Sequence, residues 1–339
     1  MLQQPYPTIP GIIGEISSAK YFSKLDLKAG YHQVPLHEES RHLTRYNHRG
    51  EAWQFTRLQM GLASAPSIFQ HTMTTVFAEH LPYTKIYLDD ILVYSDTLEE
   101  HLQHMEGILS TCEEFNVHLS EGKCEFAVPT VTFLGYTISN GEISHPKSYI
   151  EPIVCQPLPN NVSALRSFIG QINFIGGHLR DMQLMLQPLH NLISDVHKVD
   201  QRKKAPIRWS PELRQRFAEI QAYTRDNYTP LMLPDISRPF EIYTDASRVG
   251  CGAVLLQRHV ETGDLRPVGF YSHLWHPPKA YAARDLEMFA IHKTLKHWRH
   301  LLAHGNPIKL FTDHHSLTAP IDPDASTTPA PLAPPHRIL

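Results

Sequence analysis

The stretch that most constrains this chain is Lys85-Ile86-Tyr87-Leu88-Asp89-Asp90-Ile91-Leu92-Val93-Tyr94. Two short runs of β-branched, aliphatic and aromatic residues flank a pair of adjacent acids, which predicts a β-hairpin with Asp89 and Asp90 at its turn. Neighbouring carboxylates repel and cost stability unless something positive neutralises them. A divalent cation is the natural partner, because hard cations take oxygen ligands. For an Asp-Asp pair taken alone the plainer reading is a solvated turn, since Asp is a common turn residue.

The surrounding chain favours the cation. Between Tyr21 and Tyr31, an extended backbone puts Phe22, Lys24, Asp26 and Lys28 on one face, with Leu25 and Leu27 on the other. Asp26 is then either a third carboxylate for the same site or the cap of a following helix. Residues 44–58 read as a hairpin turning at Asn47 to Gly50, with Trp53 and Phe55 on one face. Gln59 to Gln70 is a loop entering a helix, with Pro66 in its first turn. Ile68, Met73, Val76 and Phe77 carry that helix's apolar stripe. Gly61 leaves room for a nucleotide to approach the backbone. A long amphipathic helix is expected from Leu98 to Val117, burying Leu102, Met105, Ile108, Leu109, Cys112 and Phe115. Strands follow near Phe126 and over Thr132 to Ile138, then a turn at Asn140-Gly141. This order suits an α+β palm.

Beyond it, Pro146, Pro152, Pro157 and Pro159 punctuate a linker. A helix capped by Ser163 then carries Leu165, Phe168, Ile169, Ile172 and Phe174, and a second helix spans about 181–195. The basic stretch Lys198 to Lys204 reads as a solvated linker. A helix from Pro211 to about Tyr223 leads into Pro239 to Ser247, a strand ending in an acid, Asp245. Strands at 250–256 and 268–272 and a helix over about 281–302 precede Lys309 to Asp313, a fourth strand ending in an acid. Residues 320–339, rich in Pro, Ala and Thr, bury too little apolar surface to fold and are expected to be disordered.

At 339 residues there is room for two or three domains. No apolar run approaches the roughly 20 residues of a membrane span. The start has no basic region followed by an apolar core, so no signal peptide is visible. The four cysteines lack CxxC or disulfide-framework spacing, which points to a reduced, intracellular setting. A net charge of −3 argues against indiscriminate coating of nucleic acid but leaves room for a local basic groove. Two histidine constellations are weaker signals. His101, His104, Cys112 and Cys124 match no closed zinc site, and Cys112 already fits the buried stripe. His297, His300 and His304 share one helical face, read as solvated.

Taken together, these residues resemble the gypsy-type retroelement polyprotein, reverse transcriptase followed by ribonuclease H, over roughly residues 5 to 318. Tyr21 to Tyr31 is similar to the first palm motif, and Met60 to Gln70 to the Gly-Leu…Ala-Pro…Phe-Gln motif. Tyr87-Leu88-Asp89-Asp90 resembles the polymerase signature, and Phe133-Leu134-Gly135-Tyr136-Thr137-Ile138-Ser139 the primer grip. Leu165 to Gly170 resembles the thumb or connection helix. Tyr243 to Ser247 and Phe311 to His314 resemble two ribonuclease H strands.

The resemblance implies a right-hand palm with partial fingers at 1–145 and a helical thumb or connection at 146–205. An α/β ribonuclease H-like domain lacking its C-terminal part would follow at 206–319, then the tail. It implies an RNA-directed DNA polymerase acting on an RNA template, a DNA or RNA primer and deoxynucleoside triphosphates, with two Mg²⁺ ions per active site and no membrane partner. Asp26 and Asp89 would be the bridging ligands and Asp90 the weaker third. Tyr31 would lie beneath the sugar, while Gly61 and Gln70 would contact substrate and Leu134 and Gly135 hold the primer end. Asp245, Glu287 and Asp313 would hold metal for cleavage of an RNA–DNA hybrid. The sequence departs from the pattern in places. The family's fingers strands fall mostly before Met1, and Met60 replaces an aromatic residue. Phe174 to Gly177 lacks the usual following basic residues, and the fourth ribonuclease H acid and last helix have no counterpart. Ribonuclease H activity is therefore left open, and an inactive, truncated remnant that only binds template–primer stays an alternative, as does an interaction protein whose acids merely shape turns.

Overall fold

The computed structural model describes residues 12, 13, 16, 19–275, 281–314 and 317. Most of the helix expected within residues 1–20, and the whole 320–339 segment expected to be disordered, lie outside them. The chain divides into two compact units, Met1–Gly141 and Glu142–Leu339. Among the described residues no helix is long and apolar enough to cross a membrane.

The first unit is built on a four-stranded antiparallel sheet. Strand β1 (Tyr21–Asp26) leads through a short helix α1 (Glu38–Arg41) to a ribbon of β2 (Tyr46–His48) and β3 (Glu51–Trp53). Its turn, Arg49-Gly50, has positive φ at both positions, as a two-residue hairpin loop requires. Helix α2 (Ala65–Val76) begins with Pro in its first turn. Then come β4 (Thr84–Tyr87), β5 (Asp90–Ser95), α3 (Leu98–Glu114), β6 (Glu125–Val128) and a hairpin of β7 (Thr130–Phe133) and β8 (Tyr136–Ser139). The sheet order is β4-β5-β1-β6. Thr97 starts α3 by accepting a hydrogen bond from the Glu100 N–H, satisfying one orphan donor of the first turn. The core forms where Leu25, Ile91 and Val93 of the sheet meet Phe69 and Met73 of α2 and Met105, Ile108 and Cys112 of α3.

Helix α3 does not bury Leu102, Leu109 and Phe115, which are 59%, 41% and 53% exposed; its inward stripe is His101, Met105, Ile108 and Cys112. In α2, Ile68 is exposed and Phe69 is buried in its place. Residues 132–138 are not one strand, because Leu134 and Gly135 have φ of +51° and +83° and turn the chain between β7 and β8.

The inward His101 is fully buried because serines satisfy both of its ring nitrogens: Ser23 Oγ lies 2.7 Å from Nε2 and Ser95 Oγ 2.9 Å from Nδ1. Ser95 Oγ also lies 2.8 Å from His104 Nδ1. This accounts for two of the residues weighed for zinc: they are built into the palm's polar interior. Burial, and then the neighbouring His104, hold the His101 pKa below its usual value. A folded pKa below the unfolded value means that this stability is complete above about pH 6.5 and is lost as pH falls below it. Denaturant midpoints measured between about pH 7.5 and 5 should drop on the acid side, and His101→Gln should flatten that slope by up to ~1.4 kcal/mol per pH unit, the value of one proton.

The second unit begins with β9 (Glu142–Ser144), followed by α4 (Lys147–Val154), α5 (Val162–Ile175), α6 (Met182–Val199) and α7 (Pro211–Asn227). Part of the expected proline linker is thus helix. The cap of α5 is Asn161, not Ser163: its Oδ1 accepts from the Ala164 N–H at 2.9 Å. Leu165, Phe168, Ile169 and Ile172 join Leu186, Leu189, Phe217 and Ile220 in one core, whereas Phe174 is 40% exposed. Strand β10 (Leu231–Met232) pairs with β9. The remaining sheet contains β11 (Phe240–Ala246), β12 (Gly250–Arg258) and β13 (Leu265–Leu274), then α8 (Ala283–His297), α9 (Arg299–Leu302) and β14 (Ile308–Phe311), in the order β13-β12-β11-β14. Strand β14 runs parallel to β11, so Asp245 and Asp313 come out at the same end of neighbouring strands.

Candidate active sites

The palm acids are positioned by strand register. β1 pairs with β5 so that Asp26 stands directly opposite Asp90, and the Leu27 N–H donates to the Asp89 carbonyl at 3.2 Å. Residues opposite each other in an antiparallel pair point to the same face, so the side chains of Asp26 and Asp90 share one. Asp26 is the last residue of β1, which stops short of the expected Leu27 and Lys28, and it caps no helix. Asp90 is the first residue of β5 and pairs with Tyr87, so the turn consists of Leu88 and Asp89. Asp89 is exposed there.

Two lysines hold this charge. Lys24, two residues before Asp26 on the same face, lies 3.3 Å from Asp90 Oδ1, and Lys123 lies 3.4 Å from Asp26 Oδ1. Burial raises the Asp90 carboxyl above its ordinary pKa, Lys24 opposes the rise, and Asp89 and Asp26 add to it. The three palm acids do not converge on one point as the acids of the second unit do. Lys24 was legible, since strand alternation puts it beside Asp26. Nothing in the sequence around Lys123 marks it.

The other predicted palm residues come from separate elements of the first unit. Tyr31 stacks on Phe69 with ring centroids 4.9 Å apart. A Cβ on Gly30 would sit 2.8 Å from Phe69 Cζ, and Phe69 is fully buried. Gly30→Ala should therefore push the ring that carries Tyr31 and cost about 1–3 kcal/mol, as overpacking does, read as a lower melting temperature. Gly61 has a φ of +92°, a conformation open to glycine alone at little cost. Leu134 and Gly135 form the β7–β8 turn. Gln70 is turned toward the β4–β5 hairpin: its Oε1 accepts from the Leu88 N–H at 2.8 Å and its Nε2 donates to the Ile86 carbonyl at 3.0 Å. Leu88 has a φ of +54°, a left-handed conformation that costs a residue with a Cβ roughly 1–2 kcal/mol.

In the second unit Asp245, Glu287 and Asp313 each offer a carboxylate oxygen within 4.8 Å of the others. Asp245 comes from β11, Glu287 from α8, and Asp313 from the residues after β14. Glu287 is buried, while the two aspartates are exposed. Its Oε1 accepts from the Ala246 N–H at 3.1 Å, and Thr312 Oγ1 lies 3.4 Å from its Oε2. Burial raises the Glu287 pKa, then Asp313, with Asp245 adding to the rise. A buried acid forced against two others fits a cation better than it fits solvent. Three oxygen donors with no sulfur or imidazole suit a hard ion such as Mg²⁺. The Thr312 hydroxyl is a contact the sequence reading did not single out, although it immediately precedes Asp313.

Residues 2–138 match the family described as reverse transcriptase (RNA-dependent DNA polymerase), and residues 235–330 match the RNase H-like domain found in reverse transcriptase. The retrovirus-related Pol polyprotein from transposon gypsy of Drosophila melanogaster is 30% identical over 319 residues, covering 93% of this chain and 30% of the relative. The transposon Tf2-3 polyprotein of Schizosaccharomyces pombe is 31% identical over 318 residues, covering 92% and 23%. The chain thus spans less than a third of the length of these curated relatives. Among solved structures, the foamy viral protease-reverse transcriptase dRH in complex with double-stranded DNA superposes with a TM-score of 0.81 at 23% identity, over 91% of this chain and 53% of that one. The foamy viral protease-reverse transcriptase in complex with an RNA/DNA hybrid gives 0.78 at 23% identity, over 91% and 40%. At that identity the likeness bears on the fold, which is the α+β polymerase fold with a ribonuclease H-like part. The chain therefore carries a reverse transcriptase domain followed by the RNase H-like domain of reverse transcriptases, in the arrangement of a gypsy-type retroelement polyprotein.

Proposed function

We propose that this chain is an RNA-directed DNA polymerase of a retrotransposon, extending a primer on an RNA template from deoxynucleoside triphosphates. The observation that carries the reading is the β1–β5 register, which brings Asp26 opposite Asp90 and links Leu27 to Asp89 by a backbone hydrogen bond. Asp26 and Asp89 would hold two Mg²⁺ ions, with Asp90, already paired to Lys24, as the weaker third ligand. Bound there, magnesium supplies Lewis acidity to the attacking 3′-oxygen and charge neutralisation to the leaving pyrophosphate. The chain's own residues do the positioning. Tyr31, backed by Phe69, presents an aromatic ring that excludes a 2′-hydroxyl. Leu134 and Gly135 hold the primer end in a tight turn.

The acids Asp245, Glu287 and Asp313 support a second reading for the second unit, a metal site for cleaving the RNA strand of an RNA–DNA hybrid. Their carboxylates already converge, and Glu287 is held in place by Ala246 and Thr312. Assigning 1–145 to palm and partial fingers, 146–205 to thumb or connection and 206–319 to the ribonuclease H-like domain belongs to the same proposal. Primer extension on an RNA template with Mg²⁺ tests the first activity, and release of labelled RNA from a hybrid tests the second. Hybrid binding without extension would overturn the polymerase reading in favour of a binding-only remnant. Neither binding nor extension would reduce the acids to turn-formers.

A further inference from the structure

The β4–β5 turn is held from outside. Its first residue, Leu88, is left-handed, and a leucine side chain has no polar atom with which to stabilise that conformation locally. The hold comes from α2. Gln70 accepts from the Leu88 N–H and donates to the Ile86 carbonyl, so one side-chain amide grips the chain on both sides of Tyr87, one residue ahead of Asp89. Gln70 is steadied in turn. Its Nε2 lies 3.3 Å from Thr74 Oγ1, Thr74 Oγ1 donates back to the Gln70 carbonyl, and the adjoining Phe69 is fully buried. The Oε1 and Nε2 atoms expected to meet substrate are thus engaged by the protein's own main chain.

We infer that Gln70 is a positioning residue: its amide keeps Leu88 left-handed and so aims the Asp89 carboxylate, instead of contacting the nucleotide. The catalytic consequence rests on the polymerase reading, but the grip itself does not. Gln70→Leu removes both hydrogen bonds at similar volume. Gln70→Glu keeps the acceptor for Leu88 and loses the donor to Ile86. Leu88→Gly lets the turn adopt φ near +54° without help.

The first measurement is amide exchange at Leu88 by NMR, which needs no activity. The Leu88 amide should be protected in the unaltered protein and exchange about tenfold faster in Gln70→Leu, with Gln70→Glu in between. The second is steady-state primer extension. Gln70→Leu should lower kcat on the order of 10- to 100-fold, as misplacement of a catalytic group does, with the KM for nucleotide unchanged. Adding Leu88→Gly to Gln70→Leu should restore kcat severalfold. A raised KM for nucleotide at unchanged kcat would make Gln70 a substrate contact and overturn the proposal. So would unchanged Leu88 protection in Gln70→Leu. If the unaltered protein does not extend primers, the polymerase reading falls, and the exchange experiment alone decides what Gln70 does.

Discussion

Asp89→Asn should lower primer extension by about a thousandfold or more while leaving the fold and template–primer affinity almost untouched. The two halves of that expectation have different causes. Asp89 is exposed at a two-residue turn, and the turn's link to β1 runs through its carbonyl, which accepts from the Leu27 N–H. Asn keeps that carbonyl and is itself a good turn residue, so stability should stay within about 0.5 kcal/mol, as for surface changes away from special features. What Asn removes is a full negative charge from a proposed pair of metal ligands. Metal-ion stabilisation of a phosphoryl transition state is worth several kcal/mol, and at about 1.36 kcal/mol per tenfold that is roughly three orders of magnitude. Asp90→Asn should behave differently. It leaves Lys24, now half-buried beside Asp26, without its partner, so it should lose stability as well as rate. Extension by Asp89→Asn within tenfold of the unaltered protein would show that its carboxylate is not a ligand.

That contrast between Asp89 and Asp90 marks what could be read from the sequence and what could not. The hairpin, the strand bearing Asp26 and the strands leading to Asp245 and Asp313 were legible, because alternation of apolar residues and turn chemistry act locally, although β14 stops at Phe311 and leaves Asp313 just beyond its end. The turn position was misjudged by one residue, since leucine gives no signal for a left-handed backbone. The same blindness ran β7 and β8 together: Leu134 is as unmarked as Leu88, and only Gly135 hinted at the break. Helix α3 shows a second limit. Hydrophobicity favours Leu102, Leu109 and Phe115 for its inner stripe, yet His101 takes an inward place because Ser23 and Ser95, distant in sequence or on another strand, supply its hydrogen bonds. Partners of that kind, like Lys123 beside Asp26, come from tertiary structure and leave no local trace.

Glu287→Gln should separate stability from function in opposite directions. Glu287 is buried between Asp245 and Asp313, and both its burial and these neighbours raise its pKa. For an acid raised in the folded state, the sign is definite: its favourable contribution is complete below about pH 4.5 and is lost as pH rises through the folded value. Above that range, without metal, the folded protein carries a buried repulsive charge. Gln removes the charge at nearly the same shape. Its Oε1 still accepts from the Ala246 N–H, and its new Nε2 donor faces the Thr312 hydroxyl. In EDTA at neutral pH the variant should therefore melt higher, by about 2–4 °C for each kcal/mol recovered. Adding Mg²⁺ or Mn²⁺ should raise the melting temperature of the unaltered protein, since a ligand bound to the folded state stabilises it, and should leave the variant's nearly unchanged. Cleavage of an RNA–DNA hybrid by this unit, where it occurs, should fall at least about a hundredfold in the variant, the loss that removal of a charge-stabilising group commonly brings. A variant that melts lower than the parent in EDTA, or gains as much as the parent from Mn²⁺, would mean that these three acids are held apart by contacts of their own and do not form a cation site.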